Sequence, residues 1–564
     1  MSPRAWASYG TPAPGALGRA HRPWFDPWFA GAIACASIVV LPVLAVIWLA
    51  LFPTENIWPH LWATVLDRYV ATTLLLMFGV AVGTLLIGVS SAWLVTMCRF
   101  PGVSVLAWAL LLPLAVPAYV IAYVYTDLLE YAGPVQRAMR AVFGWNSAAD
   151  YAFPEIRSLG GAVCMLSLVL YPYVYMLSRA AFMSQSNKML QAASTLGHGP
   201  WRRFFSVSLP LARPAVAVGL AFALMETLGD FGTVDFFAVR TLTAGLYDVW
   251  LGMGNLGGAA QIATCMLAFV VLLIVLEQFS RRRQRHFQLS GKSEALERFT
   301  LRGWRAWVAT AVCLLPLLAG FAVPAVVLLV YSVTYFESSW TPEFHSYASN
   351  SLLLAAVAAS AAVIVALVLA YAKRLHRGRA LSLSARIASL GYAIPGAVLA
   401  IGVIVPLAAF DNGVDALMRR WFGVSTGLIL SGTVFALLLA YVVRFMAIAI
   451  GTVDAGLSKI TPNMDMAART LGHGRSAAFV RVHLPIMRAS VLSALLVVFV
   501  DCMKELPATL ILRPFNFDTL ATHVYQYASD QMIEQASLGA LLIVLAGLVP
   551  VIVLSRTISG ATGT

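Results

Sequence analysis

Twelve runs of about twenty apolar residues divide this chain, and that pattern leaves room for one kind of fold. A helix of that length crosses the roughly 30 Å hydrocarbon layer of a bilayer, where a helix satisfies every backbone hydrogen bond within its own segment. In the first half the runs lie near 28–52, 70–95, 103–129, 158–182, 215–239 and 258–276. In the second half they lie near 305–330, 348–372, 381–409, 425–450, 490–512 and 538–554. Hydrophobic residues make up 60% of the 564 and charged residues only 11%, which excludes a soluble domain. The expected fold is all-α and integral to the membrane, with about twelve transmembrane helices.

The second constraint is internal repetition. Thr195-Leu196-Gly197-His198-Gly199 returns as Thr470-Leu471-Gly472-His473-Gly474, 275 positions later. Gln191-Ala192-Ala193 precedes the first copy and Leu209-Pro210 follows it; Met466-Ala467-Ala468 and Leu484-Pro485 sit at the same offset. A period this long means duplication of a whole domain, since solenoid repeats are far shorter. Six spans per copy make the halves parallel repeats about an axis along the membrane normal, with both polar loops on one side. Lysine and arginine gather on that side: Arg4, Arg19 and Arg22 in the tail, Lys188, Arg202, Arg203 and Arg213 around the first loop, and a basic stretch from Arg281 to Arg302. Short basic loops stay cytoplasmic, so both loops and both termini are expected there. The same asymmetry accounts for the net charge of +13 without nucleic acid, and leaves anionic membrane lipid as a partner of the basic face. The chain divides into a cytoplasmic tail 1–27, a first domain 28–279, a cytoplasmic linker 280–303 and a second domain 304–564.

Gly291-Lys292-Ser293 in the linker ends like a phosphate-binding loop, but His286 stands where the first glycine of that loop belongs and no buried strand precedes it. The six cysteines are scattered without metal-ligand spacing. No catalytic residue and no metal site is assigned, and any ATP hydrolysis belongs to another polypeptide.

The duplicated loop combines small alanines, which let a short helix pack closely, with a glycine that tolerates positive φ and can end it. Leu-Pro is then expected to begin the next span, because proline suits a first turn. This pattern resembles the cytoplasmic EAA loop of permeases in binding-protein-dependent ABC importers, with Gln191 and Met466 where the family has glutamate. The resemblance implies that Gln191, Ala192, Ala193, Gly197, Leu209 and Pro210, and likewise Met466, Ala467, Ala468, Gly472, Leu484 and Pro485, belong to two coupling loops. Each would dock one of two copies of a cytoplasmic ABC ATPase subunit. It further implies a bacterial inner (plasma) membrane location, a periplasmic substrate-binding protein as partner, ATP and magnesium used by the ATPase, and no cofactor on this chain. Asp230-Phe231-Gly232-Thr233-Val234-Asp235-Phe236 and Lys504-Glu505-Leu506-Pro507-Ala508-Thr509 resemble the ferric-iron transport permeases, which are fused two-copy proteins. Importers of thiamine, polyamine or phosphonate share the layout and stay open as alternatives.

Glu226 and Asp230 stand four apart in the fifth run, which puts them on one helical face, and the 275-residue offset carries them onto Asp501 and Glu505. Carboxylates in apolar spans are costly and face a cavity or a partner, and trivalent iron prefers oxygen ligands. These four acids form the candidate translocation pathway. The plainer readings are that they pair with Lys504, Arg240 or Arg513, or mark the wet outer end of a short helix. Tyr171-Pro172-Tyr173, Val116-Pro117-Ala118 and Ile394-Pro395-Gly396 are expected to kink their spans. An ion-driven secondary transporter would also be duplicated and keep such acids, but would have no use for ATPase-docking loops.

Single cysteines at Gln191 and Arg475, in a background without the native ones, are expected to resist an impermeant thiol reagent in intact cells and to react after permeabilisation. Labelling of either loop from outside would break the parallel-repeat arrangement.

Overall fold

Runs that are apolar on every face give helices with no polar stripe, and this chain is built from such helices. The computed structural model describes residues 27–53, 55–185, 187–282, 298–375 and 379–560. The tail up to residue 26 and linker residues 283–297 lie outside the described residues. Among the described residues, eleven helices are long and apolar enough to cross a membrane, twelve with one bent pair counted as a span. The first six spans are Trp28–Leu51, Leu66–Met97, the bent pair Val103–Ala115 and Ala118–Phe143, Leu159–Met183, Pro200–Gly229 and Leu256–Phe279. The second six are Trp304–Thr334, Pro342–Leu375, Gly396–Phe422, Val434–Leu457, Arg475–Met503 and Ile533–Ile552. The fold is therefore all-α, in two parallel six-helix repeats.

Proline sets two of the breaks, whereas Pro172, where a kink is also expected, sits inside the unbroken helix Leu159–Met183. The residue before a proline is pushed out of helical geometry, and Val116 and Ile394 both have ψ 124°. Pro117 and Pro395 then open new helices from extended backbone, and the third span bends by 92°. The ninth run, read as continuous from 381, is interrupted likewise: Arg379–Ala388 is a separate helix ahead of the ninth span. The tenth span begins at Val434 rather than near 425. The fifth and eleventh spans end at Gly229 and Met503, short of the expected 239 and 512. Beyond them the chain folds into the short helices Gly232–Phe236 and Leu242–Tyr247, and Pro507–Leu512 and Leu520–Ser529, before the sixth and twelfth spans.

The halves interlock through their first spans. The first span packs on the eighth and ninth, and the seventh packs on the second and third. Glycine permits the close approach: Gly402 lies against the Pro42 backbone and Gly547 against that of Ala115, so that a Cβ at either position would overlap a carbonyl. Two short strands join the halves again. β1 (Cys98–Arg99), at the end of the second span, pairs in parallel with β2 (Phe299–Thr300), at the end of the linker.

Gly402→Leu is expected to force the first span off the ninth and to cost about 1–3 kcal/mol, as overpacking of a filled core does. Gly413→Leu on the same helix, where a Cβ meets nothing within 4 Å, is the control. Thermal denaturation of the detergent-solubilised protein checks this; equal melting temperatures for the two variants would refute the interlock.

Candidate functional site

A cavity of about 110 Å³ lies on the seam between the halves, and all four expected acids, Glu226, Asp230, Asp501 and Glu505, line it. The first half contributes the bend of the third span around Val116–Tyr119, the fourth span from Leu166 to Tyr173, and the end of the fifth. The second half contributes Tyr392, Arg444 and Phe445, and the stretch Lys504–Pro507.

The acids do not share a helical face as their spacing suggested. Glu226 is on the fifth span, but Asp230 is beyond its end with extended backbone, φ −70° and ψ 127°. Its carboxylate accepts from the amides of Thr233 at 3.0 Å and Val234 at 3.3 Å and from the Thr233 hydroxyl at 3.1 Å. Glu505 does the same in the other half, accepting from the Ala508 amide at 3.1 Å. Each acid thus ends one helix by satisfying the free amides of the next, as capping carboxylates do.

The two halves differ in how charge is balanced. Lys504 Nζ lies 2.7 Å from Asp501, and Arg444 Nε lies 3.3 Å from Glu505, with Arg444 and Glu505 only 7% and 5% exposed. The equivalent positions in the first half are Gly229 and Val169. Among the described residues, no base lies within ion-pair distance of Glu226 or Asp230. The plainer reading therefore holds for Asp501, whose partner is Lys504, whereas Arg513 pairs with Asp518 instead. Among the described residues, no three His, Cys, Asp or Glu side chains come close enough to hold a metal ion.

Sequence reasoning missed Arg444, Tyr119, Tyr173 and Tyr392. Arginine in the tenth apolar run is as costly as an acid and was the available signal; the tyrosines carried none. The Tyr173 and Tyr392 hydroxyls meet at 3.2 Å across the seam, with Phe222 packed beside both rings. Phe231 stacks on Tyr247 at 3.7 Å.

The duplicated loops have one geometry. Helix Asn187–Thr195 closes with His198 N donating to Ala193 O and Gly197 N to Ser194 O; helix Pro462–Thr470 closes with His473 N to Ala468 O and Gly472 N to Arg469 O. This is the double closure that needs a left-handed residue, and Gly197 and Gly472 have φ +79° and +80°. Ala193 and Ala468 are buried, while Gln191, Ala192, Met466 and Ala467 are exposed. The large residues at the tips face outward: Leu196 and Leu471 are 77% and 76% exposed, with Met189, Trp201 and Met464 also bare.

Leu209-Pro210 and Leu484-Pro485 do not begin their spans. The helix already runs from Pro200 or Arg475 and passes through a π turn, Phe204–Ser208 in one half and Phe479–His483 in the other. Proline inside an α-helix collides with the carbonyl four residues earlier, and the wider turn immediately before it relieves that crowding.

The loops are held differently. Asp465 of the second accepts from Arg374 at 2.7 and 3.0 Å and lies 2.6 Å from His483 Nε2, and the Tyr371 hydroxyl donates to the Arg475 carbonyl at 2.7 Å. Phe479 packs on Tyr371 and on Trp28 of the first half. In the first loop Phe204 packs on Trp93, and Arg203 lies 4.4 Å over the ring of Phe299 in β2. Leu190 and Ser208 stand where the second half has Asp465 and His483.

Comparison with known proteins gives two matches to one family profile, described as "binding-protein-dependent transport system inner membrane component", over residues 85–286 and 362–560. The Fe(3+)-transport system permease protein FbpB 2 of Haemophilus influenzae is 24% identical over 86% of this chain and 89% of its own length. The molybdenum transport system permease protein ModB of Escherichia coli is 30% identical over 40% of this chain and 95% of its own. The sulfate transport system permease protein CysT of Escherichia coli is 28% identical over 42% of this chain and 84% of its own.

The unequal anchoring of the loops is testable on the isolated chain. Asp465→Ala strips Arg374 and His483 of their shared carboxylate, a loss of roughly 1.5–3 kcal/mol for bonds to charged groups. Hydrogen exchange of amides 462–471 is expected to quicken about tenfold or more, while that of 189–196 stays as it was. Equal acceleration in both loops, or none in the second, would contradict the asymmetry.

Proposed function

Because this chain belongs to the family of binding-protein-dependent transport system inner membrane components, we propose that its cargo is ferric iron, delivered by a periplasmic binding protein and moved at the expense of ATP hydrolysed on two partner subunits. It is a permease of an ABC importer. The proposal concerns what passes through it and how it is driven. One observation carries the cargo reading: four carboxylates at duplicated positions line the seam cavity against two bases, leaving an excess of negative charge where a cation would cross. The match along both halves to a permease named for Fe(3+) transport supports the same reading. An oxyanion cargo is the second reading, favoured by Arg444 and Lys504 in the cavity and by the half-length relatives named for molybdenum and sulfate. The excess of acids over bases argues against it, since an anion would meet net repulsion.

The ATPase would dock on the two loops. An exposed apolar patch marks an interaction site, and Leu196 and Leu471, at equivalent positions and almost equally bare, provide one in each half. Gln191 to Pro210 and Met466 to Pro485 are the proposed coupling segments, with both termini on the same, cytoplasmic side. Two copies of the ATPase would hold the ATP and magnesium, since this chain has no phosphate-binding loop. The four cavity acids are the proposed cargo pathway.

Gly197→Val and Gly472→Val put a β-branched residue at positive φ, a strain on the order of 1–2 kcal/mol. A Cβ there meets nothing of this chain within 4 Å, so the damage falls on the turn and its partner rather than on the fold. Both variants are expected to insert normally, to retain less than about one fifth of the copurified ATPase, and to lose iron uptake in proportion. Normal ATPase retention and uptake in both would refute the coupling assignment. Wild-type uptake of molybdate or sulfate in place of ferric iron would refute the cargo.

A further inference from the structure

The cavity's acids are not equivalent, because two carry built-in countercharges and two do not. Asp501 is matched by Lys504 at 2.7 Å and Glu505 by Arg444 at 3.3 Å, whereas the capping bonds are common to both halves, Glu505 accepting from the Ala508 amide and Asp230 from Thr233 and Val234. Gly396 leaves room for that second pair, since a Cβ there would stand 2.6 Å from both Arg444 Nη1 and Glu505 Oε1. Among the described residues no base stands within 4 Å of Glu226 or Asp230, and the charge of Glu226 reaches Arg444 and Lys504 only from farther off. A second observation falls on the same side. Tyr119 lines the cavity and is 4% exposed, yet its hydroxyl has no hydrogen-bond partner. An unsatisfied buried hydroxyl is unfavourable by about 1–3 kcal/mol, and this one is within electrostatic reach of Asp230 as well as of Glu505.

Resting on the cation-import reading above, we propose that the cavity holds a one-sided site for a multivalent, oxygen-seeking cation, formed by Glu226, Asp230 and the Tyr119 hydroxyl of the first half. Lys504 and Arg444 act as resident cations of the second half. They keep Asp501 and Glu505 from competing for the cargo and from trapping it between four carboxylates. Carboxylate and phenol oxygens are the hard donors that such ions select. Two carboxylates and one hydroxyl leave most of the coordination shell to other ligands, which suits a station on a route better than a storage site. Beyond the ion pair of Nε with Glu505, Arg444 Nε and Nη1 make no hydrogen bond. The four-to-two excess of acids decides against reading those donors as an anion site.

The test uses terbium(III), a luminescent hard trivalent ion, bound to the purified full-length chain and followed by tyrosine-sensitised emission. Glu226→Gln and Asp230→Asn are each expected to weaken binding about tenfold or more, and Tyr119→Phe to weaken it several-fold. Lys504→Met is expected to strengthen binding about tenfold, because it releases Asp501 and removes a positive charge from a cavity of low dielectric. Variants are compared only where size-exclusion profiles match the parent; Glu226→Asp, which keeps the charge, is expected to recover most of the affinity. Unchanged affinity in Glu226→Gln and Asp230→Asn, or weaker binding in Lys504→Met, would overturn the one-sided site. So would molybdate binding that displaces no terbium and is lost in Arg444→Met. Terbium binding with the expected variant pattern, in a protein whose cells take up no ferric iron, would uphold the site while refuting iron as the cargo.

Discussion

A charge inside a low-dielectric layer persists only where something balances it or where a cavity admits water and cargo. That constraint shapes the centre of this protein. Four acidic and two basic side chains from both halves converge on one cavity, and the local backbone is arranged around them. The fifth and eleventh spans stop where Asp230 and Glu505 can cap the next short helix, and glycine stands at 396 so that Arg444 can reach Glu505. Each half alone would expose these groups to lipid. The seam exists because the two halves bury them against one another, with the first span of each crossing onto the other half to hold the seam shut.

Duplication supplied the symmetry, and divergence decides what the cavity does. The four acids keep the 275-residue offset, while the bases occur in one half only. The loops diverge in the same way: identical turns, with an ionic anchor around Asp465 in one and an aromatic contact with β2 in the other. A fused chain can make such distinctions because its halves are never exchanged, whereas a homodimer of half-length subunits would carry every base and every anchor twice.

Much of this was legible in the sequence because long periods and apolar runs survive any local rearrangement. The twelve spans, the doubled loop with its left-handed glycine, and the meeting of Glu226, Asp230, Asp501 and Glu505 all follow from patterns that ignore detail. Spacing failed where local hydrogen bonding overrode it. A spacing of four predicted a shared helical face for Glu226 and Asp230, but the free amides of Thr233 and Val234 drew Asp230 out of the helix. Leu-Pro reads as a helix start, and the π turn that lets proline sit in mid-helix has no sequence signature of its own. Arg444 was concealed by the length of the apolar run around it, which sets membership of a span but says nothing about which neighbour a single polar residue will find.

The two π turns sit at matching places, Phe204–Ser208 and Phe479–His483, between each loop and the span it leads into. A wide turn is one residue more than an α-helix would use over the same stretch. Loss of a residue there would restore regular winding and leave the seam-facing residues beyond it pointing as before. The same loss a turn further along, past Pro210 or Pro485, would rotate everything downstream by roughly 100° and swing the cavity acids toward lipid. A one-residue deletion between loop and cavity therefore disturbs the cavity least when it falls inside one of these two wide turns.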